Sequence, residues 1–133
     1  SISSNTDVLL SMSIENYSYW GGAHGYGSTS YLNFDKSTGK TLSINDLIKN
    51  QTEFLKLAET KFKKQKGIAA EENINSTGYF FENEEFILPA NVGFNDQELL
   101  LVYNPYEVAS YAEGQIIITL PLEEVKEYLS IDL

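Results

Sequence analysis

The chain has no cysteine among its 133 residues. That single absence excludes disulfides, thiolate nucleophiles, zinc knuckles and iron–sulfur clusters, and leaves stability to packing. It fits a reducing cytosol, and equally a bacterial secreted protein, so it leaves the compartment open. Histidine is nearly as scarce: His24 stands alone, so a His-rich metal site cannot be built. Positive charge is also in short supply, with nine Lys and Arg against nineteen Asp and Glu and a formal net charge of −10. That sign repels phosphate backbones and anionic membrane surfaces, which makes nucleic acid an unfavourable partner. No apolar run approaches the roughly 20 residues that span a bilayer. Attachment to a membrane is therefore expected only through an N-terminal anchor missing from this sequence. Ser1-Ile2-Ser3-Ser4-Asn5 has no initiator Met, no basic segment and no apolar signal core, as expected of a trimmed segment whose leader, if any, has been removed.

What remains suits one compact domain, with an apolar share of 42% able to form a continuous core. From Val8 to Trp20, Leu10, Met12 and Ile14 fall on one side and Ser11, Ser13 and Glu15 on the other, the period of a half-buried strand. Thr29–Asp35 resumes β-branched and aromatic content, so the two segments predict a hairpin across the intervening glycines. Asp35 to Lys40 reads as a tight turn, with Gly39 free to take positive φ. Ser43 followed three residues later by Asp46 predicts a capping box and a short helix. Glu53–Lys66 carries Phe54, Leu55, Ala58 and Phe62 at helical spacing, with Gly67 as its stop. Five of the nine basic residues lie between Lys56 and Lys66, read as a solvated helix face whose cations complement the negative end of the dipole. Residues 68–77 read as an exposed connection. Leu99–Tyr103 is expected to be buried on both faces, and Gln115–Leu120 is a second strand. Asn95–Glu98 turns the chain before the first of them. Pro121, Glu123 and Glu124 suit the first turn of a closing helix bearing Leu122, Val125 and Leu129.

Reactive groups do not converge in this pattern. His24 sits in Tyr19-Trp20-Gly21-Gly22-Ala23-His24-Gly25, where the glycines supply the backbone angles of a reversal and would also let a substrate approach. Its imidazole reads either as a general acid or base or as a group bonding loop carbonyls. There is no G-x-S-x-G elbow. Asp35 to Gly39 resembles the opening of a calcium loop but lacks its closing glutamate. Glu71-Glu72, Glu84-Glu85 and Glu123-Glu124 are neighbours whose side chains diverge, unlike the facing carboxylates of a glycosidase. No catalytic set, no metal ligands and no cofactor are expected. Aromatics make up 13% of the chain, and the tyrosines bunch as Tyr17, Tyr19, Tyr26 and Tyr31 and again as Tyr103, Tyr106 and Tyr111. A ring with a hydrogen-bonding tip serves strand rims and recognition surfaces alike.

Two stretches together resemble a known family. Tyr19 to Gly25, followed by Asn33-Phe34-Asp35, Thr38-Gly39-Lys40 and Leu42 through Asp46-Leu47, is similar to the opening of the RsiV-like C-terminal domain, a domain of unknown function. Tyr103-Asn104-Pro105-Tyr106-Glu107-Val108-Ala109, Tyr111-Ala112, Gly114 and Ile118 to Pro121 resemble its closing signature. Glu98 departs from the pattern, standing in a turn where the family often has glycine.

The resemblance implies an α+β fold with a mixed or mainly antiparallel sheet and two to three helices, similar to a subdomain of the Hsp70 ATPase. It implies that residues 15–133 form the domain and residues 1–14 a terminal strand, the remnant of a preceding domain. It also implies an extracytoplasmic location in bacteria, since relatives include lysozyme-sensing anti-sigma factors and peptidoglycan deacetylases. No catalytic set carries over. The positions that match are Gly21, Gly22, His24 and Gly25 in the first motif, and Tyr106, Glu107, Tyr111 and Gly114 in the second; Tyr19 and Trp20 flank the first.

The expectation is a non-catalytic binding or accessory module in which Tyr19, Trp20, Gly21, Gly22, His24, Gly25, Tyr106, Glu107 and Tyr111 form one cluster. Its partner would be a cationic protein such as lysozyme, or cell-wall glycan. The alternative is a cell-wall hydrolase using His24 as acid or base.

Overall fold

The computed structural model describes residues 1–19, 21–22 and 25–133, with Tyr26 and Tyr111 described by backbone only. In chain order the elements are β1 (Ile2–Asn5), β2 (Leu9–Ser18), β3 (Tyr26–Asp35), α1 (Ile44–Leu47), α2 (Gln51–Lys66), β4 (Asn91–Phe94), β5 (Glu98–Tyr103), β6 (Ile116–Pro121) and α3 (Leu122–Val125). The strands make two three-stranded sheets, ordered β1-β2-β3 and β4-β5-β6, and each pairing is antiparallel. The fold is α+β.

The helices form where local chemistry satisfies their ends. Ser43 Oγ accepts from the Asp46 amide at 3.2 Å while the Asp46 carboxylate accepts from the Ser43 amide at 2.9 Å, closing the capping box that starts α1. These bonds hold the Asp46 carboxyl below the usual carboxylate range. α2 begins at Asn50, whose side chain accepts from the Glu53 amide, and stops at Gly67, which takes the left-handed conformation with φ 70°. Phe54, Ala58 and Phe62, four residues apart, form its buried stripe. Phe62 meets Tyr79, Phe81, Phe86 and Tyr103 edge-on, with ring centroids 5.1 to 5.7 Å apart. Tyr103 is thus core, fully buried, with its hydroxyl donating to the Ile87 carbonyl at 2.6 Å.

β5 is buried on both faces, as its unbroken apolar run requires. Two segments differ from expectation. Residues 68–77 are not simply exposed, because Ile68 and Ile74 reach the core, and Asn75 holds the segment by bonding both the amide and the carbonyl of Phe81. β4 is an additional strand. Its sequence Asn-Val-Gly-Phe has too short an alternation and a glycine at its centre, so it lacks a strand's ordinary signature.

The first sheet is inside out. β2 alternates as expected, but the buried residues are Leu9 and Ser11, while Ile14 is exposed and Leu10 and Met12 are half-buried. The reason lies across the interface. β4 is the edge of the second sheet, and in its antiparallel alternation with β5 the Val92 carbonyl and the Phe94 amide point away from that partner. Ser11 and Asn33 satisfy them: Asn33 Nδ2 donates to Val92 O at 2.8 Å, the Phe94 amide donates to Ser11 Oγ at 3.2 Å, and Ser11 donates to Asn33 Oδ1 at 2.7 Å. Polar side chains are needed on that face, so the apolar ones turn outward. Ile14 and Glu15 are consecutive residues of β2, and a boundary between residues 14 and 15 falls inside a strand.

Two further edges are closed by side-chain amides. Asn91 accepts from the Tyr31 amide and donates to the Thr29 carbonyl on the outer edge of β3. Gln65 of α2 does the same to Thr119 of β6, accepting from its amide at 3.1 Å and donating to its carbonyl at 2.8 Å. Each amide presents the donor and acceptor that a neighbouring strand would offer.

Candidate binding surface at the hairpin end

β2 and β3 pair in continuous register from Leu9↔Asp35 to Ser18↔Tyr26. Beyond the last pair lie the described residues Tyr19, Gly21, Gly22 and Gly25. Gly21 and Gly22 have φ of 94° and 91°, a backbone that side chains with a Cβ rarely adopt. The Tyr19 hydroxyl donates to the Gly22 carbonyl at 2.6 Å and staples the turn. Trp20 and His24 lie outside the described residues, and with them both their expected place in the cluster and the alternative reading of His24 as an acid or base.

The ring of Tyr17 lies across this hairpin on Gly25. A methyl at position 25 would come within 1.9 Å of the Tyr17 hydroxyl and 2.3 Å of Cζ. Glycine there lets the hydroxyl end of the ring lie on backbone. The side chain is nevertheless 75% exposed, so most of the ring is open to solvent. Beside it runs a shallow groove lined by Glu15, Asn16, Ser28, Thr29 and Gln115. It offers a carboxylate, two amides and two hydroxyls next to an aromatic ring.

The second motif reaches the same end of the sheet through Asn104. Asn104 Oδ1 accepts from the Thr29 amide at 3.2 Å and from Gln115 Nε2 at 2.7 Å, so one side chain ties β3 to both ends of the loop between β5 and β6. The chain then turns at once: the Glu107 amide donates to the Asn104 carbonyl at 3.0 Å. Pro105 occupies the second position and Tyr106 the third, with φ 71°. A turn of that kind favours glycine or asparagine at the third position, so a tyrosine there is held against its preference. Tyr106 is 62% exposed. The Glu107 carboxylate accepts from the Asn104 amide at 3.4 Å, and partial desolvation raises its carboxyl above the ordinary range.

Of the residues singled out in the sequence, Tyr19, Gly21, Gly22 and Gly25 build the hairpin tip, and Tyr106 and Glu107 build the second turn. The side chain of Tyr111 lies outside the described residues. Tyr17, Asn104 and Gln115, like the groove residues Glu15, Asn16, Ser28 and Thr29, were not among the nine residues expected to form the cluster. Tyr17 had a signal, because the strand period puts it on one face with Tyr19 and opposite glycines. Asn104 and Gln115 had only the turn chemistry of Asn-Pro and the start of a strand.

Comparison with known proteins adds identity to this geometry. Over 117 residues the chain is 29% identical to the peptidoglycan-N-acetylmuramic acid deacetylase PdaC of Bacillus subtilis, a match that takes in 85% of this chain and 24% of that protein. A crystal structure from Bacteroides fragilis superposes with a TM-score of 0.79 at 24% identity, covering 99% of this chain and 53% of that one. Another, from Pseudomonas aeruginosa, gives 0.71 at 21% identity, covering 98% and 59%. The chain thus spans about a quarter of the deacetylase and somewhat over half of each solved relative. Both crystal structures are described as members of one family of unknown function, and they share this fold. Residues 44–123, more than half of the chain, match the model of that same family, described as Protein of unknown function (DUF3298), and the chain belongs to it.

Proposed function

We propose that this domain is a non-catalytic binding or accessory module of the bacterial cell envelope, of the RsiV-like kind, acting outside the cytoplasm and gripping wall glycan at its hairpin end. The observation that carries the reading is the Tyr17 ring, its hydroxyl end lying on Gly25 and most of its surface open, beside a groove of amides, hydroxyls and one carboxylate. Sugar rings present apolar C–H faces ringed by hydroxyls, and an aromatic platform flanked by planar polar groups matches both. Similarity to a protein named for acting on peptidoglycan N-acetylmuramic acid supports the choice of glycan. Calorimetric titration with soluble muropeptides and with chitooligosaccharides tests it. Saturable binding that weakens tenfold or more in Tyr17→Ala is expected, a loss of about 1.4 kcal/mol. Absence of binding to either glycan would remove the reading. Turnover of the glycan, abolished by His24→Gln, would replace it with hydrolysis.

A second reading rests on charge. A net charge of −10 steers cationic proteins, and a basic wall-degrading enzyme such as lysozyme is a partner of that kind. Its signature is an association rate that falls steeply with salt and is indifferent to Tyr17→Ala.

A further inference from the structure

The groove at the hairpin end holds one carboxylate, and that carboxylate has no partner. Glu15 and Tyr17 are two residues apart on β2, so their side chains leave the same face of the sheet with their roots about 7 Å apart. Across the hairpin, Thr29 stands opposite Glu15 and Gly27 opposite Tyr17, so no side chain across the pair crowds the ring. Glu15 is exposed, and among the described residues it takes part in no ion pair and no hydrogen bond. The ion pairs of the described residues all involve α2, where Lys56, Lys61 and Lys63 meet Glu53, Glu124 and Glu59. The residues that line the groove with Glu15 bring no cation to it, and no lysine or arginine stands in the chain before Lys36.

An occupant of the groove displaces water from this carboxylate. A neutral occupant leaves the charge partly desolvated, an anionic one adds repulsion, and a cationic group in place of the lost water offsets the desolvation. A few well-placed polar groups beside an aromatic platform fix both the orientation and the choice of ligand. For a sugar resting on Tyr17, Glu15 stands one strand repeat away, beside the substituents at the edge of the sugar ring. The cationic substituent that a hexosamine can carry there is the ammonium group present when its nitrogen bears no acetyl. We propose that the groove selects hexosamine units with a free amine over N-acetylated ones, Glu15 pairing with the ammonium of the sugar seated on Tyr17. This selectivity rests on the glycan reading of the groove and names the form of glycan that fits.

Calorimetric titration with a chitooligosaccharide and with the same oligosaccharide fully de-N-acetylated tests it, with circular dichroism confirming that each variant is folded. The free-amine form is expected to bind about fivefold more tightly at low salt, the upper range for an exposed ion pair, and the margin should narrow as salt is added. Glu15→Gln should cancel the margin and leave the affinity for the N-acetylated form nearly unchanged, whereas Tyr17→Ala should weaken both. Glu85→Gln removes one charge from an exposed position outside the groove and should keep the margin, which separates Glu15 from the general attraction of an acidic chain for cations. A peptide amine is the other source of an ammonium group. An N-acetylated muropeptide with a free peptide amine should lack the margin, and a margin there that Glu15→Gln cancels would overturn the assignment to the sugar. Equal affinity for the two oligosaccharides, or a margin that survives Glu15→Gln, would overturn the selectivity and leave the glycan reading standing; binding to none of the three ligands would remove both.

Discussion

Two glycines show how the absence of one methyl group can serve different ends. At Gly93 the ring of Tyr31 lies so close that an added Cβ would stand 2.3 Å from its Cγ and Cδ1. Those atoms are at the root of the side chain, which cannot swing clear without leaving its site. Gly93→Ala should therefore cost about 1–3 kcal/mol in urea unfolding, the range for overpacking. Adding Tyr31→Ala should recover part of that loss. Simple additivity of the two would show that the ring is not the obstacle. At Gly25 the obstruction is the hydroxyl end of Tyr17, the exposed far end of a side chain. Gly25→Ala is expected to displace the ring at little cost in stability but to weaken glycan binding nearly as much as Tyr17→Ala does. Glu107 is a third case. Desolvation raises its carboxyl, so in the folded chain it resists ionisation, and stability from this group is present below the ordinary carboxylate value and lost as pH rises through its own. Glu107→Gln, which keeps the acceptor for the Asn104 amide, should equal or exceed the wild type in melting temperature at pH 7, with the difference vanishing near pH 4.

At the level of elements, the recurring device is a side chain standing in for a strand. Ser11 and Asn33 complete the edge of β4, Asn91 the edge of β3, and Gln65 the edge of β6. Asn33→Leu keeps the volume and removes the donor to Val92 O and the acceptor for Ser11, leaving buried groups unpaired; a loss of about 1–3 kcal/mol in denaturant unfolding follows. Gln65→Ala, at an exposed edge, should cost less, because water replaces the amide. This device also marks the limit of what the chain discloses in one dimension. The capping box at Ser43, the stop at Gly67 and the turn at Asp35 are legible because their bonds span only a few residues. The hairpin is legible because its strands are long and adjacent. Alternation in β2 gives a period but not a direction, and the inward face was decided by Val92 and Phe94, some eighty residues away. β4 itself, four residues with a central glycine, has no local signature. The candidate surface divides the same way: the glycine turn and Tyr106 were visible, whereas the bond from Thr29 to Asn104 joins residues 75 apart and no pattern within either segment announces it.

For the molecule as a whole, the response to pH follows from which groups the core desolvates. Tyr103 is fully buried, its hydroxyl committed to Ile87, and burial pushes its phenol far above the ordinary value near 10, with Glu107 adding to the shift. Tyr31 and Tyr79 are raised in the same direction, first by burial and then by Glu15 and Glu113. A raised phenol means that the folded chain holds a proton which the unfolded chain gives up. Stability from these groups is therefore complete below about pH 10 and falls as pH climbs beyond it. Asp35 and Asp46 act at the other limit. Bonds from Ser37 to the first and Ser43 to the second lower both carboxyls, so their contribution is present above the ordinary carboxylate value and disappears as pH drops through their own. Between the two limits stability should form a plateau. Its alkaline shoulder can be assigned to one group by comparing urea midpoints from pH 7 to 11 in the wild type and in Tyr103→Phe. The variant loses the bond to Ile87 and should start about 1 kcal/mol lower at pH 7. It also has no phenol at that position to ionise on unfolding, so its midpoint should decline less steeply above pH 10, and the two curves should converge. Parallel curves would place the alkaline transition on other tyrosines.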